Sequence, residues 1–309
     1  MRRESVDMVE TSKQSVRKRM RTGRPMTERR RSTGERIFFI LVFIYFALYS
    51  LTIIYMLSWS FLSSLKENRE FFNYPFSLPK KWLFSNYAEA FKAVNINDTS
   101  LVGMVFNSIW YSFGSVFLSN MTAALVGYTF SKYDFRGKNF MYSVNLFTMI
   151  VPIFSAGAAS YRLIYSLRLN DSPLLLITSI SGMGMSFIIY YSVFNGISNS
   201  YIEAACMDGA GPFSVFFKVA IPQLMPTFLA LSITGFIAAW NNWSTPLYYL
   251  EKMPTLASGI YFFQQELVYA SNEPLYFAAC MMSAVPVIAL FALSQSKIMN
   301  NVSAGGLKG

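Results

Sequence analysis

Apolar residues gather in six long stretches separated by polar, charge-bearing segments. The first covers 37–62 without a single charge. The others cover about 103–130, 140–160, 174–197, 224–250 and 276–295, and none of the six cores contains Asp, Glu, Lys, Arg or His. About 20 residues of helix cross the hydrocarbon of a bilayer, so each stretch is long enough to span. Prolines fall inside several of them, at Pro152, Pro226, Pro246 and Pro286. Membrane helices tolerate these where neighbours, hydroxyls or water re-satisfy the backbone. The pattern predicts an all-α integral membrane protein with six transmembrane helices. Its predicted parts are a tail over 1–36, a first transmembrane helix over 37–62, an outer loop over 63–102, a helical core over 103–296 with an inner loop at 198–223, and a tail over 297–309.

Composition agrees with lipid as the solvent. The chain has 309 residues, of which 53% are hydrophobic and 14% charged, against roughly 25% charged in soluble domains. The net charge of +10 is concentrated in residues 1–36, with twelve Lys/Arg against five Asp/Glu. A basic tail ahead of an apolar span reads as cytoplasmic retention beside anionic lipid rather than as a nucleic-acid arm. It is also longer and more basic than the n-region of a signal peptide. With the N-terminus inside, the inner segments carry 18 Lys/Arg and the outer segments 8, which favours both termini in the cytoplasm.

Several chemistries are excluded. The chain has no histidine, which removes His-based acid–base catalysis, Ser-His and Cys-His nucleophile pairs and most zinc sites. No G-x-x-x-x-G-K-[ST] string is present, so the chain holds no ATP in a Walker-type loop. Cys206 and Cys280 have no metal-ligand spacing and read as reduced, small apolar residues. A secondary transporter places ionisable groups within the membrane for ion coupling, and the six stretches have none. No filter signature of a channel is apparent. A membrane-embedded enzyme lacks its catalytic groups, and a scaffold that only binds partners remains a further alternative. Energy for transport would have to come from a partner.

The inner loop 198–223 has its own grammar. Ser200 with Glu203 three residues later forms a capping box, and Gly209 is placed as a C′ glycine. The spacing predicts a helix of about eight residues, Tyr201–Asp208. Such a helix is too short to be stable alone and needs a partner surface. Ala204 and Ala205 offer a close-approach face, and Glu203 and Asp208 offer charge.

These residues carry a resemblance. Glu203-Ala204-Ala205, then Gly209, then Val219-Ala220-Ile221-Pro222 resembles the EAA loop of type I ABC importer permeases. Five fixed identities at fixed spacing arise by accident in roughly one chain of this length per thousand or fewer. Within that family the chain is similar to the carbohydrate permeases of the maltose MalG type. The similarity includes Asn107-Ser108, Gly127-Tyr128, Phe135-Arg136-Gly137, Asp208-Gly209-Ala210, Trp240-Asn241, Gln295 and the terminal Gly306-Leu307-Lys308-Gly309. It covers about 63–309 and leaves out the basic tail. Ser198 stands where the family often has proline, and Gly211-Pro212 follows the Asp-Gly-Ala.

The resemblance implies the type I ABC importer permease fold, as a multi-pass protein of the bacterial plasma membrane. It implies a subunit of an importer for a carbohydrate, an oligosaccharide, with a non-sugar solute as the alternative. The partners implied are a second permease in a heterodimer, two ATPase subunits and an extracellular solute-binding protein; no nucleic acid is involved. ATP and Mg would sit on the ATPase partners, with no cofactor on this chain. Glu203, Ala204, Ala205, Asp208 and Gly209 are then the ATPase-coupling residues. Trp240, Asn241, Asn242 and Trp243 are candidates for the substrate path, since aromatic faces beside amides suit a polyhydroxylated ring. An interfacial aromatic belt or helix packing explains them as well. Tyr261, Phe262, Gln264 and Gln265, in an expected outer loop over 251–275, are candidates for the contact with the binding protein. The competing reading is an interfacial segment held by its aromatics.

Overall fold

The computed structural model describes residues 33–151, 157–270 and 272–305. They fall into two units that divide after Ser58. The first is the greater part of helix α1 (Thr33–Ser64), whose apolar side chains from Ile37 to Leu57 are mostly exposed. A helix that is apolar on every side and offers no polar face is built for lipid.

The second unit begins with folded segments where an open outer loop was expected. Helices α2 (Asn68–Asn73) and α3 (Ser85–Ala93) follow, then a two-stranded hairpin of β1 (Asn95–Ile96) and β2 (Thr99–Ser100). Asn95 pairs with Ser100 and Ile96 with Thr99. Asn97 and Asp98 turn the hairpin with φ of 49° and 62°, the left-handed pair that a two-residue hairpin requires. Lys66 is buried at 1% exposure. Its ammonium donates to the carbonyls of Tyr74 and Pro75 at 2.9 Å each. Asn86 Nδ2 donates to the carbonyls of Ser64 and Lys66 at 2.8 and 2.9 Å, fastening α3 to the end of α1.

The helical core continues with α4 (Leu101–Lys132), α5 (Lys138–Ile150), α6 (Gly157–Ser166), a 3-10 segment over Pro173–Ser179, and α7 (Met185–Gly196). Next come α8 (Asn199–Met207), α9 (Pro212–Val215), one π-turn over Phe216–Ala220 and α10 (Ile221–Trp240). The order closes with α11 (Ser244–Tyr249), α12 (Leu256–Ala270) and α13 (Glu273–Gly305). Among the described residues four helical runs are long and apolar enough to cross a membrane: α1, α4, Pro212–Trp240 and Glu273–Leu293.

The third and fourth apolar stretches fold in shorter pieces than expected. α5 has 13 residues, and Pro152 lies outside the described residues. The fourth stretch starts as a 3-10 segment with Pro173 at its head, breaks at Ser181–Gly184, and resumes as the 12-residue α7. Ser-Ile-Ser-Gly-Met-Gly at 179–184 is poor in helix formers, and Gly184 has φ 114°. Its N–H donates to Asn145 Oδ1 at 2.6 Å, which joins the start of α7 to α5. The expected outer loop 251–275 is mostly the 15-residue α12.

Helix α4 runs past three clusters of buried side chains. One includes Met104, Phe236, Trp240, Leu256, Ile260 and Phe263. A second includes Ala123, Ala124, Tyr128, Tyr190, Phe194 and Phe216, and the third Tyr111, Ile164, Leu175 and Leu250. Small residues let α4 approach α7 closely, as in other membrane helix pairs. A Cβ on Gly127 would stand 3.0 Å from Tyr190 Cβ and 3.0 Å from the Tyr191 nitrogen. At the other end, Asn107 Nδ2 donates to the Pro254 carbonyl at 3.0 Å and the Leu256 N–H donates to Ser108 Oγ at 2.7 Å. That pair fixes the start of α12 against α4.

Candidate functional site

A cavity of about 610 Å³ opens between α4, the 3-10 segment, the start of α7, and α10–α11. From α4 it is lined by Tyr111, Ser115, Val116, Ser119 and Asn120, and from the 3-10 segment and α7 by Thr178, Ser179 and Ser186. Leu231, Thr234, Gly235, Ala238 and Ala239 on α10 complete the wall with Asn242 and Thr245. Ten of these fifteen side chains are polar, and none is charged. The lining follows helical spacing: 111, 115 and 119 on α4, and 231, 234/235 and 238/239 on α10, place one side chain per turn on the same face.

The four residues expected along a substrate path separate. Trp240 is buried at 3% exposure and stacks on Phe236 with centroids 5.6 Å apart, so it belongs to the core. Asn241 is exposed, and its Nδ2 closes the end of α10 on the Ile237 carbonyl at 3.0 Å. Asn242 lines the cavity. It also caps α11, accepting at Oδ1 from the Thr245 N–H and Ser244 Oγ at 3.1 Å each, and donating from Nδ2 to Thr245 Oγ1 at 3.0 Å. Trp243 faces away from the cavity and stacks flat on Tyr261, with centroids 4.4 Å apart and planes 11° apart. One aromatic from each expected set thus forms a single pair between α11 and α12. Phe262 packs against the core, while Gln264 and Gln265 are exposed on α12. The cavity residues on α4 and at Thr234 were not singled out from the sequence. The i, i+4, i+8 run of Tyr111, Ser115 and Ser119 was the available signal.

The segment expected as an inner loop forms a nine-residue helix, α8, with no buried residue. Its N-cap is Ser198, whose Oγ accepts from the Ser200 N–H at 3.3 Å. The Ser200–Glu203 capping box is therefore replaced by a cap two residues earlier, and Glu203 is exposed on the body of the helix. Its C-terminus closes with Gly209 at φ 81°. The Gly209 N–H donates to the Cys206 carbonyl and the Ala210 N–H to the Ala205 carbonyl, each at 3.0 Å, the two bonds of a Schellman motif. Tyr201, Ala204, Met207 and Asp208 are exposed, with Met207 88% so; Ala205 is half-buried.

Helix α8 is tied to the end of α4. The Lys132 ammonium donates to the Ile197 carbonyl at 2.6 Å and to Asn199 Oδ1 at 2.9 Å, and Ser131 Oγ donates to Asn195 Oδ1 at 2.7 Å. Ile202 packs on the cluster around Tyr128 and Phe216. On the far side of α8 comes the π-turn, in which the Ile221 N–H reaches back five residues to the Phe216 carbonyl. Pro222 has no N–H to offer the Lys218 carbonyl, so the wide turn falls where an α-helical bond cannot form. Gln223 Nε2 donates to the Val219 carbonyl at 3.1 Å.

Known proteins resemble this chain in sequence and fold. The chain is 28% identical over 278 residues to the diacetylchitobiose uptake system permease protein NgcG of Streptomyces coelicolor, covering 89% of this chain and 90% of that one. It is 27% identical over 287 residues to the arabinooligosaccharides transport system permease protein AraQ of Bacillus subtilis, covering 91% and 99%. The fold matches a chain in the crystal structure of a bacterial ABC transporter involved in the import of the acidic polysaccharide alginate. The TM-score is 0.68 at 25% identity, over 86% of this chain and 98% of the other. Residues 119–298, which hold most of the cavity wall, all of α8 and the π-turn, match the family model of the binding-protein-dependent transport system inner membrane component, and the chain belongs to that family.

Proposed function

We propose that this chain is one permease subunit of an ATP-driven importer for a carbohydrate, an oligosaccharide delivered by an extracellular binding protein. In this reading it pairs with a second permease as a heterodimer, and two ATPase subunits bind on the cytoplasmic side and hold the ATP and Mg. The six apolar stretches cross the membrane, the third and fourth as broken helices, with both termini in the cytoplasm. Similarity to permeases named for diacetylchitobiose and arabinooligosaccharides supports the solute class.

The observation that carries the reading is α8. It is capped at both ends, has no buried residue and exposes Tyr201 and Met207, so it offers a preformed surface that needs a partner. Glu203, Ala204, Ala205, Asp208 and Gly209 form the contact with the ATPase. Closure of the ATPase dimer on ATP moves α8, and the Lys132 bonds carry that motion into α4, whose other turns line the cavity. A ligand shifts such an equilibrium only through different affinities for the two states, so the loaded binding protein must favour one of them. Asn242 lines the path, while Trp240 holds α10 in place behind it. Tyr261, Phe262, Gln264 and Gln265 lie on the side that meets the binding protein.

Co-purification with an ATPase, followed by ATP hydrolysis in proteoliposomes with and without loaded binding protein, tests this. Stimulated hydrolysis with sugar uptake is expected of the complex, and neither from the chain alone. Uptake by the chain alone on a proton or sodium gradient would overturn the reading.

A further inference from the structure

We propose that the segment between α1 and α3 is a lipid-headgroup site. It seats an anionic phospholipid, with the phosphate on Arg69, Lys80 and Lys81 and the acyl chains beside exposed apolar side chains. The proposal goes beyond the solute path and rests only on α1 crossing the membrane. Arg69, Lys80 and Lys81 line a pocket of about 230 Å³ with Glu67, Glu70 and Tyr74. All three cations are exposed, and none has an ion pair among the described residues. The two acids do not cancel them. Glu70 is half-buried, and its Oε1 accepts the Lys80 N–H at 2.8 Å. Its charge also faces the buried Lys66. Glu67 is then left against three cations. The Lys80 ammonium stands over the Tyr74 ring, 4.9 Å from its centroid, which holds the charge at the pocket while its protons stay available.

The geometry favours lipid over a dissolved anion or a soluble partner, because the segment folds back along α1. Trp59 lies five residues before the end of α1, a rise of about 7.5 Å. Its Nε1 donates to the Pro75 carbonyl at 2.9 Å, and its ring meets Phe76 at 6.1 Å between centroids. Pro75 and Phe76 therefore stand beside the last turns of an apolar helix. The carbonyls of Tyr74 and Pro75 also hold the buried Lys66 ammonium, so this turn is fixed. Around it Phe72, Phe76, Leu78, Trp82 and Phe84 are each more than half exposed. Water penalises such a display in proportion to its apolar area. A membrane interface accepts aromatic rings and long cations together. A free phosphate would leave the apolar side chains uncovered, whereas acyl chains cover them. Arginine can hold two phosphate oxygens at once, and anionic lipid attracts each Lys or Arg at its surface.

Fluorescence quenching tests this on the complete importer, reconstituted in phosphatidylcholine bilayers with a minor fraction of phosphatidylglycerol. Bromine is carried on the acyl chains of one lipid or the other. The emission of Trp82 is the difference between wild type and Trp82→Phe. Phosphatidylglycerol is expected to be favoured beside Trp82 by at least about fivefold. The triple variant Arg69→Gln, Lys80→Gln, Lys81→Gln is expected to keep the wild-type melting temperature and bring that ratio to one, and Lys81→Gln alone to lower it partway. Inorganic phosphate is expected to lower the ratio no more than chloride at equal ionic strength. A ratio of one in wild type, or a ratio that the variants leave unchanged, would overturn the proposal. Displacement by phosphate beyond the chloride control would mark a site for the free anion and overturn it as well. In phosphatidylcholine alone, the triple variant is expected to bind the loaded binding protein as wild type does. Weaker binding there would assign the three cations to that protein instead of to lipid.

Discussion

Replacing Gly209 by valine sets a β-branched side chain at φ 81°, where only glycine is at ease. The cost is about 1–3 kcal/mol, and it falls on the bonds that close α8. The variant is expected to insert into the membrane and to lose ATP-coupled uptake; normal transport would show that α8 need not end there. Glu203 and Ser198 separate folding from contact. Ser198→Ala removes the cap and is expected to cost about 1 kcal/mol of helix stability. Glu203→Ala removes no intramolecular bond among the described residues, so unchanged thermal stability with reduced ATPase stimulation is expected. A drop in melting temperature for Glu203→Ala would mean that it supports the helix after all. Lys66 gives a pH dependence. Burial lowers its pKa from the ordinary 10.5, partly offset by Glu70. The folded state therefore releases that proton more readily than the unfolded one, and the penalty of the charged form eases as pH rises through the lowered value toward 10.5. Thermal unfolding in detergent should show wild type gaining on Lys66→Met across that alkaline range, and a constant difference between the two would reject the effect.

At the scale of elements, α12 changes how the proposed contact with the binding protein can be tested. Its buried residues Leu256, Ile260 and Phe263 recur at helical spacing, a signal readable in the sequence but masked by Pro254 and the acids around it. Deleting 264–270 would cut away half a helix. The pair Gln264→Ala and Gln265→Ala is cleaner, since both side chains are exposed. If they meet the binding protein, the double variant is expected to assemble normally and to import less sugar per ATP; unchanged uptake per ATP would remove them from that role. Helices α1, α4, α10 and α13 were legible because long uncharged runs leave few alternatives. The broken fourth stretch was not, because hydropathy counts serine and glycine as tolerable while the helix does not. The cavity was hidden for a related reason. Ser108 and Ser112, which are buried, share α4 with Ser115 and Ser119, and sequence alone does not separate a packing stripe from a lining one. Trp240 drew attention for its ring, which faces the core.

For the molecule as a whole, α4 is the shared member. Its middle turns line the cavity and its last residues hold the corner between α7 and α8. If that corner moves as one piece, a disulfide in the variant Ser131→Cys with Asn195→Cys is expected to leave uptake per ATP unchanged. Loss of transport on oxidation, restored by reductant, would show that the corner flexes. On the opposite side of α8 the join is less rigid in a different sense. The π-turn over Phe216–Ala220 contains one residue more than an α-helix would use for the same turn. Removing the exposed Lys218 would close it to ordinary α geometry, and α10 would keep its own packing. Because the π-turn absorbs that residue within one turn, the face of α8 would keep its direction relative to α10. The same deletion in a plain α-helix would turn the face by about 100° and shift it by about 1.5 Å. The π-turn is therefore the one place among the described helices on either side of it where a residue can be lost without re-aiming α8.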